Sequence, residues 1–145
     1  MGSDLFDIRD AREDDMLYVN AYAQAVGMDV MPGPEDVRVA VNADDVPVGC
    51  CRLVADDEGV SYVNPIVVYE PWRRIGVGRA LIEDAHEHAG ELRLIARGES
   101  VGFYRALGFV DMPWEWADLA AASEDCDQCP RRATCGPVPM RLLAR

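Results

Sequence analysis

Lysine is missing from this chain: all 14 of its basic residues are arginine. There is therefore no P-loop ammonium, no Schiff-base nucleophile and no lysine–glutamate pair of the kinase kind. Histidine is scarce as well. Only His86 and His88 occur, both in an acidic stretch that reads as helix, which disfavours a serine–histidine–aspartate hydrolase. No apolar run has membrane-spanning length, and the N-terminus lacks a charged-then-apolar leader. The expectation is a soluble, cytoplasmic protein with no membrane partner. Positive charge is in short supply, with 26 acidic residues giving a net charge of −12. Such a surface repels phosphate backbones, so no nucleic-acid partner is expected, and any anionic ligand must rely on a local cluster of arginines.

The 145 residues present are enough for one domain with a real core. They are organised around the run from Ile66 to Ile82. Ile66, Val67 and Val68 read as the end of a buried strand, which breaks at Pro71. Arg73, Arg74, Ile75, Gly76, Val77, Gly78 and Arg79 follow, and then a helix pattern with Leu81, Ala85 and Ala89 on one face. A strand that turns into a helix through glycines aims several backbone N–H groups at one spot, where the helix dipole also favours negative charge. Glycine lets a phosphate approach without meeting a Cβ, and arginines add charge. The stretch has the makings of a pyrophosphate cradle.

Arg73-x-x-Gly76-x-Gly78 at such a turn resembles the coenzyme A signature of the GNAT superfamily of N-acetyltransferases. Downstream, Ser100-Val101-Gly102-Phe103-Tyr104-Arg105-Ala106-Leu107-Gly108-Phe109 is similar to that family's second signature, a short Phe-Tyr helix closed by Leu-Gly-Phe. The resemblance implies an α/β (α+β) fold: a central mixed, mostly antiparallel sheet flanked by helices, in a single domain over residues 1–145. It implies acetyl-CoA as cosubstrate and direct acetyl transfer to a primary amine on a small molecule or peptide. A non-catalytic coenzyme A-binding or metal- or redox-sensing module is the alternative. A dinucleotide oxidoreductase fails, because there is no third glycine at the required spacing.

Along the chain, Phe6 to Arg9 reads as a strand and Met16 to Val26 as a helix whose Leu17, Ala21 and Ala25 recur every four residues. The segment from Met28 to Pro34 is either a wall of the acceptor site, as the resemblance implies, or a plain connecting loop. Val37, Val39 and Val41 alternate with polar or small residues, and 46–54 and 60–68 continue as an antiparallel meander. Strands are expected at Leu92 to Ala96, Val110 to Trp116 and Val138 to Leu143. There are no internal repeats, and residues 117–137 look inserted.

In the reaction that the resemblance implies, the backbone N–H of Val67 or Val68 faces the thioester carbonyl, and the turn from Arg73 through Arg79 holds the pyrophosphate. Ser100 joins the cosubstrate site. Tyr104 corresponds to the family tyrosine that protonates the departing thiolate, a role suited to a phenol of pKa about 10. Phe103 is expected in the core. Glu70 is the candidate base, although the family's proline has moved to Pro71, and a water held by Tyr62 or Asn64 is equally open. Arg97 stands where many relatives carry an asparagine that touches the coenzyme. The inserted stretch carries Cys126, Cys129 and Cys135, spaced like knuckles that hold zinc or an iron–sulfur cluster, with Cys50, Cys51, His86 or His88 as candidate fourth ligands. A disulfide and free thiols are the competing states. The assembly is left open as far as a homodimer.

Overall fold

The computed structural model describes residues 5–122 and 136–145. Seven strands form one sheet in the order β1-β2-β3-β4-β5-β7-β6: Asp7–Asp10 (β1), Val37–Val41 (β2), Pro47–Ala55 (β3), Ser61–Val68 (β4), Leu92–Ala96 (β5), Val110–Asp111 (β6) and Val138–Leu142 (β7). β4 and β5 run parallel, whereas the β1/β2, β2/β3, β5/β7 and β6/β7 pairs are antiparallel. Among the described residues the helices are Met16–Ala25 (α1), Val77–Ala89 (α2), Val101–Ala106 (α3) and Leu119–Ala122 (α4). None of the described helices is long and apolar enough to cross a membrane. The mixed sheet flanked by helices is the expected fold class.

The chain forms two compact units, one running to Leu53 and resuming over Pro65–Ala85, the other Val54–Asn64 and His86–Arg145. In the first, Val37, Val39 and Val41 point to one face of the sheet, as alternation requires, and bury against α1. The α1 residues they meet are Met16, Val19 and Ala23. The stripe expected from periodicity, Leu17, Ala21 and Ala25, is instead exposed, with Leu17 at 81%. α1 carries two apolar arcs and no charge, so its period alone does not choose between them. The arc with methionine and valine buries more apolar area, at about 25 cal/mol per Å², and packs on the valine face.

The opposite face of the sheet receives α2. A Cβ on Gly49 of β3 would lie 3.1 Å from the Val67 carbonyl and 3.1 Å from a Val77 methyl, so a side chain there would press strand and helix apart and glycine suits this close approach. Arg38 of β2 reaches the same helix, its Nε and a terminal nitrogen donating to the two oxygens of Asp84 at 3.0 and 2.9 Å. Leu81 and Ala85 are buried as their spacing predicts, but Ala89 is exposed. At the other end, Arg9 donates to both oxygens of Asp15 at 2.7 and 3.1 Å, closing β1 onto the turn that leads into α1.

In the second unit β5 pairs with β7 over five residues, Leu92↔Leu142 to Ala96↔Val138. β6 is shorter than the strand expected over Val110 to Trp116. It ends at Asp111, and Met112 donates a last hydrogen bond to the Pro139 carbonyl at 3.0 Å. Pro113 has no N–H to continue a ladder, and Trp114–Trp116 forms a 3-10 turn instead. That turn leads into Ala117 and α4, which seal the unit: Ala121 and Ala122 pack on Tyr62 and Met112.

Candidate functional site

The strand that approaches the glycine turn decides which of its backbone groups are available. Along a strand, successive residues address opposite neighbours with their N–H and C=O. Tyr69 donates its N–H to the Val48 carbonyl of β3 at 2.8 Å, and the Val67 carbonyl faces Gly49 of the same strand. Odd positions therefore address β3. Val68 presents its N–H and C=O to the other edge. The ladder of β4 with β5 contains only Ser61↔Leu92 and Tyr62↔Arg93, so Val68 lies beyond it. Of the two residues expected as oxyanion donors, Val68 has the open edge, whereas Val67 is committed to β3.

After Val68 the chain makes a 3-10 turn over Glu70–Trp72, stiffened by Pro71 and closed by Trp72 N–H to the Tyr69 carbonyl at 2.8 Å. Arg73 then folds back, its Nε donating to the Val68 carbonyl at 3.0 Å. Arg74 takes φ +69° and Gly76 φ +94°, both in the left-handed region that favours glycine. The Gly76 carbonyl accepts the N–H of Ala80 at 3.0 Å and so opens α2. The first N–H groups of that helix, on Val77, Gly78 and Arg79, have no carbonyl of their own in the helix. No heavy atom lies within 4 Å of a Cβ placed on Gly76. The turn thus sets free N–H groups and arginines beside open space at Gly76, and its chemistry fits a pyrophosphate. Arg79 pairs with Glu83 at 2.8 Å, one turn along the exposed helix surface. Ile75 and Glu70 are exposed.

In the other unit, Arg97 lies exposed at the start of a 3-10 turn over Gly98–Ser100, which runs into α3. Ser100 stands at the N-cap of α3, half-buried, with no side-chain capping bond. Tyr104 is buried to 8% exposure, its ring edge-on to Phe103 at 5.1 Å and to Phe109 at 5.3 Å. Phe103, expected in the core, is 43% exposed. A six-residue helix has one inner face, and Val101 and Tyr104, three apart, take it. Leu-Gly-Phe closes the helix for a local reason: Gly108 at φ +102° allows the N–H groups of Gly108 and Phe109 to bond back to Arg105 and Tyr104 at 3.0 and 3.1 Å.

Tyr62 and Asn64, considered as holders of a catalytic water, bind backbone. The Tyr62 hydroxyl accepts the Asp118 N–H at 2.9 Å and donates to the Trp116 carbonyl at 3.2 Å, and the Asn64 amide donates to the Ala121 carbonyl at 2.9 Å. Cys126, Cys129 and Cys135 lie outside the described residues. Among the described residues no group of three or more histidine, cysteine or acidic side chains can hold a metal. Of their candidate fourth ligands, Cys50, Cys51 and His86 are buried. Burial pushes the Cys50 thiol up to about 12, offset only in part by the Val67 backbone, and raises Cys51 as well. His86 is buried, and its Nε2 donates to the Leu143 carbonyl at 2.7 Å.

Tyr22 and Tyr69, which carry no motif signal, are brought together beside this strand end. Their rings stack at 4.8 Å between centroids with 19° between planes.

With that geometry in place, comparison with known proteins identifies relatives. The sequence profile of the acetyltransferase (GNAT) domain matches residues 34–111. An uncharacterized N-acetyltransferase of Chlorobaculum tepidum is 25% identical over 96 residues, 64% of this chain and 61% of that protein. The match thus spans about six-tenths of the relative's length. Among solved structures, Ard1 of Thermoplasma volcanium superposes with a TM-score of 0.71 at 19% identity, covering 97% of this chain and 99% of that one. N-acetylglutamate synthase of Neisseria gonorrhoeae, complexed with coenzyme A and N-acetyl-glutamate, gives 0.70 at 15% identity over 97% of this chain and 35% of that one. At these identities the structural likeness establishes the fold.

Proposed function

This chain belongs to the GNAT acetyltransferase family, and on that premise we propose that it transfers an acetyl group from acetyl-CoA directly to a primary amine of a small molecule or peptide. The observation that carries the reading is the strand-to-helix turn from Arg73 to Gly78, with open space at Gly76, directly after a strand end whose Val68 N–H is not in the ladder with β5. The pyrophosphate would rest on the N–H groups of Val77, Gly78 and Arg79, with Arg73 and Arg74 supplying charge. Ile75 and Gly76 shape the turn, and Ser100 lies on the cosubstrate's path. The Val68 N–H would donate to the thioester carbonyl and to the oxyanion that it becomes.

The amine nitrogen attacks the carbonyl carbon, and the C–N bond forms as the carbonyl electron pair moves to oxygen. When the carbonyl re-forms, the C–S bond breaks and the electron pair leaves with sulfur. Tyr104 then gives its hydroxyl proton to the thiolate, and the exposed Glu70 carboxylate takes the proton lost by the amine, directly or through water. For Cys126, Cys129 and Cys135 we retain zinc or an iron–sulfur cluster as a structural staple outside this chemistry, to be decided by elemental analysis. A cytoplasmic location belongs to the same proposal.

The test combines calorimetry with acetyl-CoA, an amine panel and the Tyr104→Phe variant. Micromolar binding, transfer to at least one amine, and a drop of roughly 10²-fold in rate with unchanged acetyl-CoA affinity are expected. Binding without transfer to any amine would favour the non-catalytic module, and no binding would remove the reading altogether. Full activity of Tyr104→Phe would reduce Tyr104 to a packing residue.

A further inference from the structure

The Tyr22–Tyr69 stack lies one residue beyond the Val68 N–H. Alternation along the strand puts the Tyr69 side chain on the same face of the sheet as Val67, the face that α1 covers. Tyr22 is held from behind: its hydroxyl donates to the Pro47 carbonyl at 2.7 Å. Its pKa is raised by burial first, and then by its neighbours Tyr69 and Tyr18. It is therefore a neutral, immobilised ring at any physiological pH. Tyr22 covers one face of the Tyr69 ring, and Tyr69 remains 43% exposed.

The exposed arc of α1 continues this surface. At 100° per residue, Leu17, Ala21, Ala25, Tyr18 and Tyr22 share an arc of about 140°. Leu17 is 81% and Tyr18 43% exposed, and no charged residue occurs between Met16 and Ala25. This is the stripe whose spacing resembled a core face. In a chain with 26 acidic residues, an uncharged aromatic and aliphatic surface beside the strand end is a local exception. The glycine turn and α2 lie on the opposite face of the sheet, as the contact of Gly49 with Val77 and Leu81 records. An acceptor must reach a carbonyl held at Val68 from the side that the cosubstrate leaves free, which is the side of Tyr69.

We propose that Tyr69, seated on Tyr22, is the acceptor platform, and that the acceptor is a primary amine on a planar, apolar body that lies on the open face of the Tyr69 ring. This inference rests on the acetyl-transfer reading above. A stacked ring offers dispersion and its quadrupole, and no carboxylate stands on the arc of α1 to hold a second ammonium group, so alkylamines that carry an aromatic ring are favoured over polyamines.

The test measures transfer to phenethylamine, butylamine and spermidine at saturating acetyl-CoA, with acetyl-CoA binding followed separately by calorimetry. In the unaltered protein kcat/KM for phenethylamine exceeds that for either aliphatic amine by roughly 10-fold or more. Tyr69→Phe keeps that ratio, and Tyr69→Ala brings it near one while acetyl-CoA affinity stays constant. Equal or better use of butylamine or spermidine by the unaltered protein overturns the proposal without any variant. An unchanged ratio in folded Tyr69→Ala does the same. A solution dimer that Leu17→Glu dissociates would assign this face to a second copy and also overturn it. Failure to bind acetyl-CoA refutes the transfer reading itself, whereas binding with no aromatic preference refutes the platform alone.

Discussion

Arg73 donates its Nε–H to the carbonyl of Val68 across 3.0 Å, tying the glycine turn to the last residue of β4. The same peptide unit is held at its other end, where the Tyr69 N–H donates to the Val48 carbonyl at 2.8 Å. A peptide fixed at both ends anchors Val68 on its C-terminal side, next to the N–H that the proposed reaction assigns to the thioester. In the proposed reaction Arg73 would have two duties, charge for the pyrophosphate and an anchor for the strand end that carries the oxyanion donor.

Arg73→Lys separates them, because lysine keeps the charge and lacks the planar Nε–H donor. The expected outcome is a fall in kcat of about 10-fold with KM for acetyl-CoA changed by less than about 3-fold. Steady-state kinetics check this. A raised KM at full kcat would show that charge alone matters.

Gly76 stands at φ +94° with open space where a Cβ would go, so the penalty for a side chain there is conformational and falls on the ligand. Gly76→Ala should destabilise the protein by about 1–2 kcal/mol through the left-handed backbone. It should also weaken acetyl-CoA binding by more than that loss accounts for, since the Cβ enters the cradle. Urea unfolding measures the first effect and calorimetry the second. Full affinity in folded Gly76→Ala would place the pyrophosphate elsewhere.

Asp15 carries a pH dependence of known sign. Burial opposes its charge, but the Arg9 fork and the Arg12 N–H at 2.7 Å outweigh burial and hold the carboxyl below its ordinary value of 3.8. A depressed carboxylate stabilises the fold above its unfolded pKa, and the contribution disappears as pH falls through 3.8 towards the lower folded value. Asp15→Asn should cost about 2 kcal/mol at pH 7 and flatten the acid limb of the Tm profile below about pH 4. Thermal melts from pH 7 to pH 2 test it, and parallel profiles for the two proteins would discard the role.

Cys50 and Cys51 are buried to 0% and 1% exposure, and burial holds both thiols protonated, Cys50 at about 12. The thiolate is the reactive form, so neither should react with a disulfide reagent in the folded protein at pH 8. Guanidinium should bring both into reaction. Five fast thiols in the native state, matching all five cysteines in the chain, would contradict their burial.

The glycine turn, the Leu-Gly-Phe helix closure and most strands were legible because each depends on a few neighbouring residues. Gly76 and Gly108 sit at positive φ, where a side chain is strained whatever surrounds it. Pro113, by contrast, ended β6 at Asp111 although the expected strand continues to Trp116, since one missing N–H outweighs strand propensity. Tyr62 carried no sign that its hydroxyl would serve the backbone of Trp116 and Asp118, which lie more than fifty residues away in sequence. The pairing of Tyr22 with Tyr69 was invisible for the same reason.

By itself, then, the sequence determined the local conformations and their order: the alternation of Val37, Val39 and Val41, the strand-to-helix turn at Arg73 to Gly78, and the charge balance. Steric limits on φ and the side-chain periods of strands and helices act within a few residues, so they need no partner to be read. Only the tertiary structure decided which arc of α1 is buried, that Val68 and not Val67 has the open edge, and that Phe103 faces outward while Tyr104 packs inward. Each of these choices compares two locally equivalent options. The difference between them is apolar area removed from water, or a hydrogen bond made to a distant strand, and both exist only once the distant residues have come together.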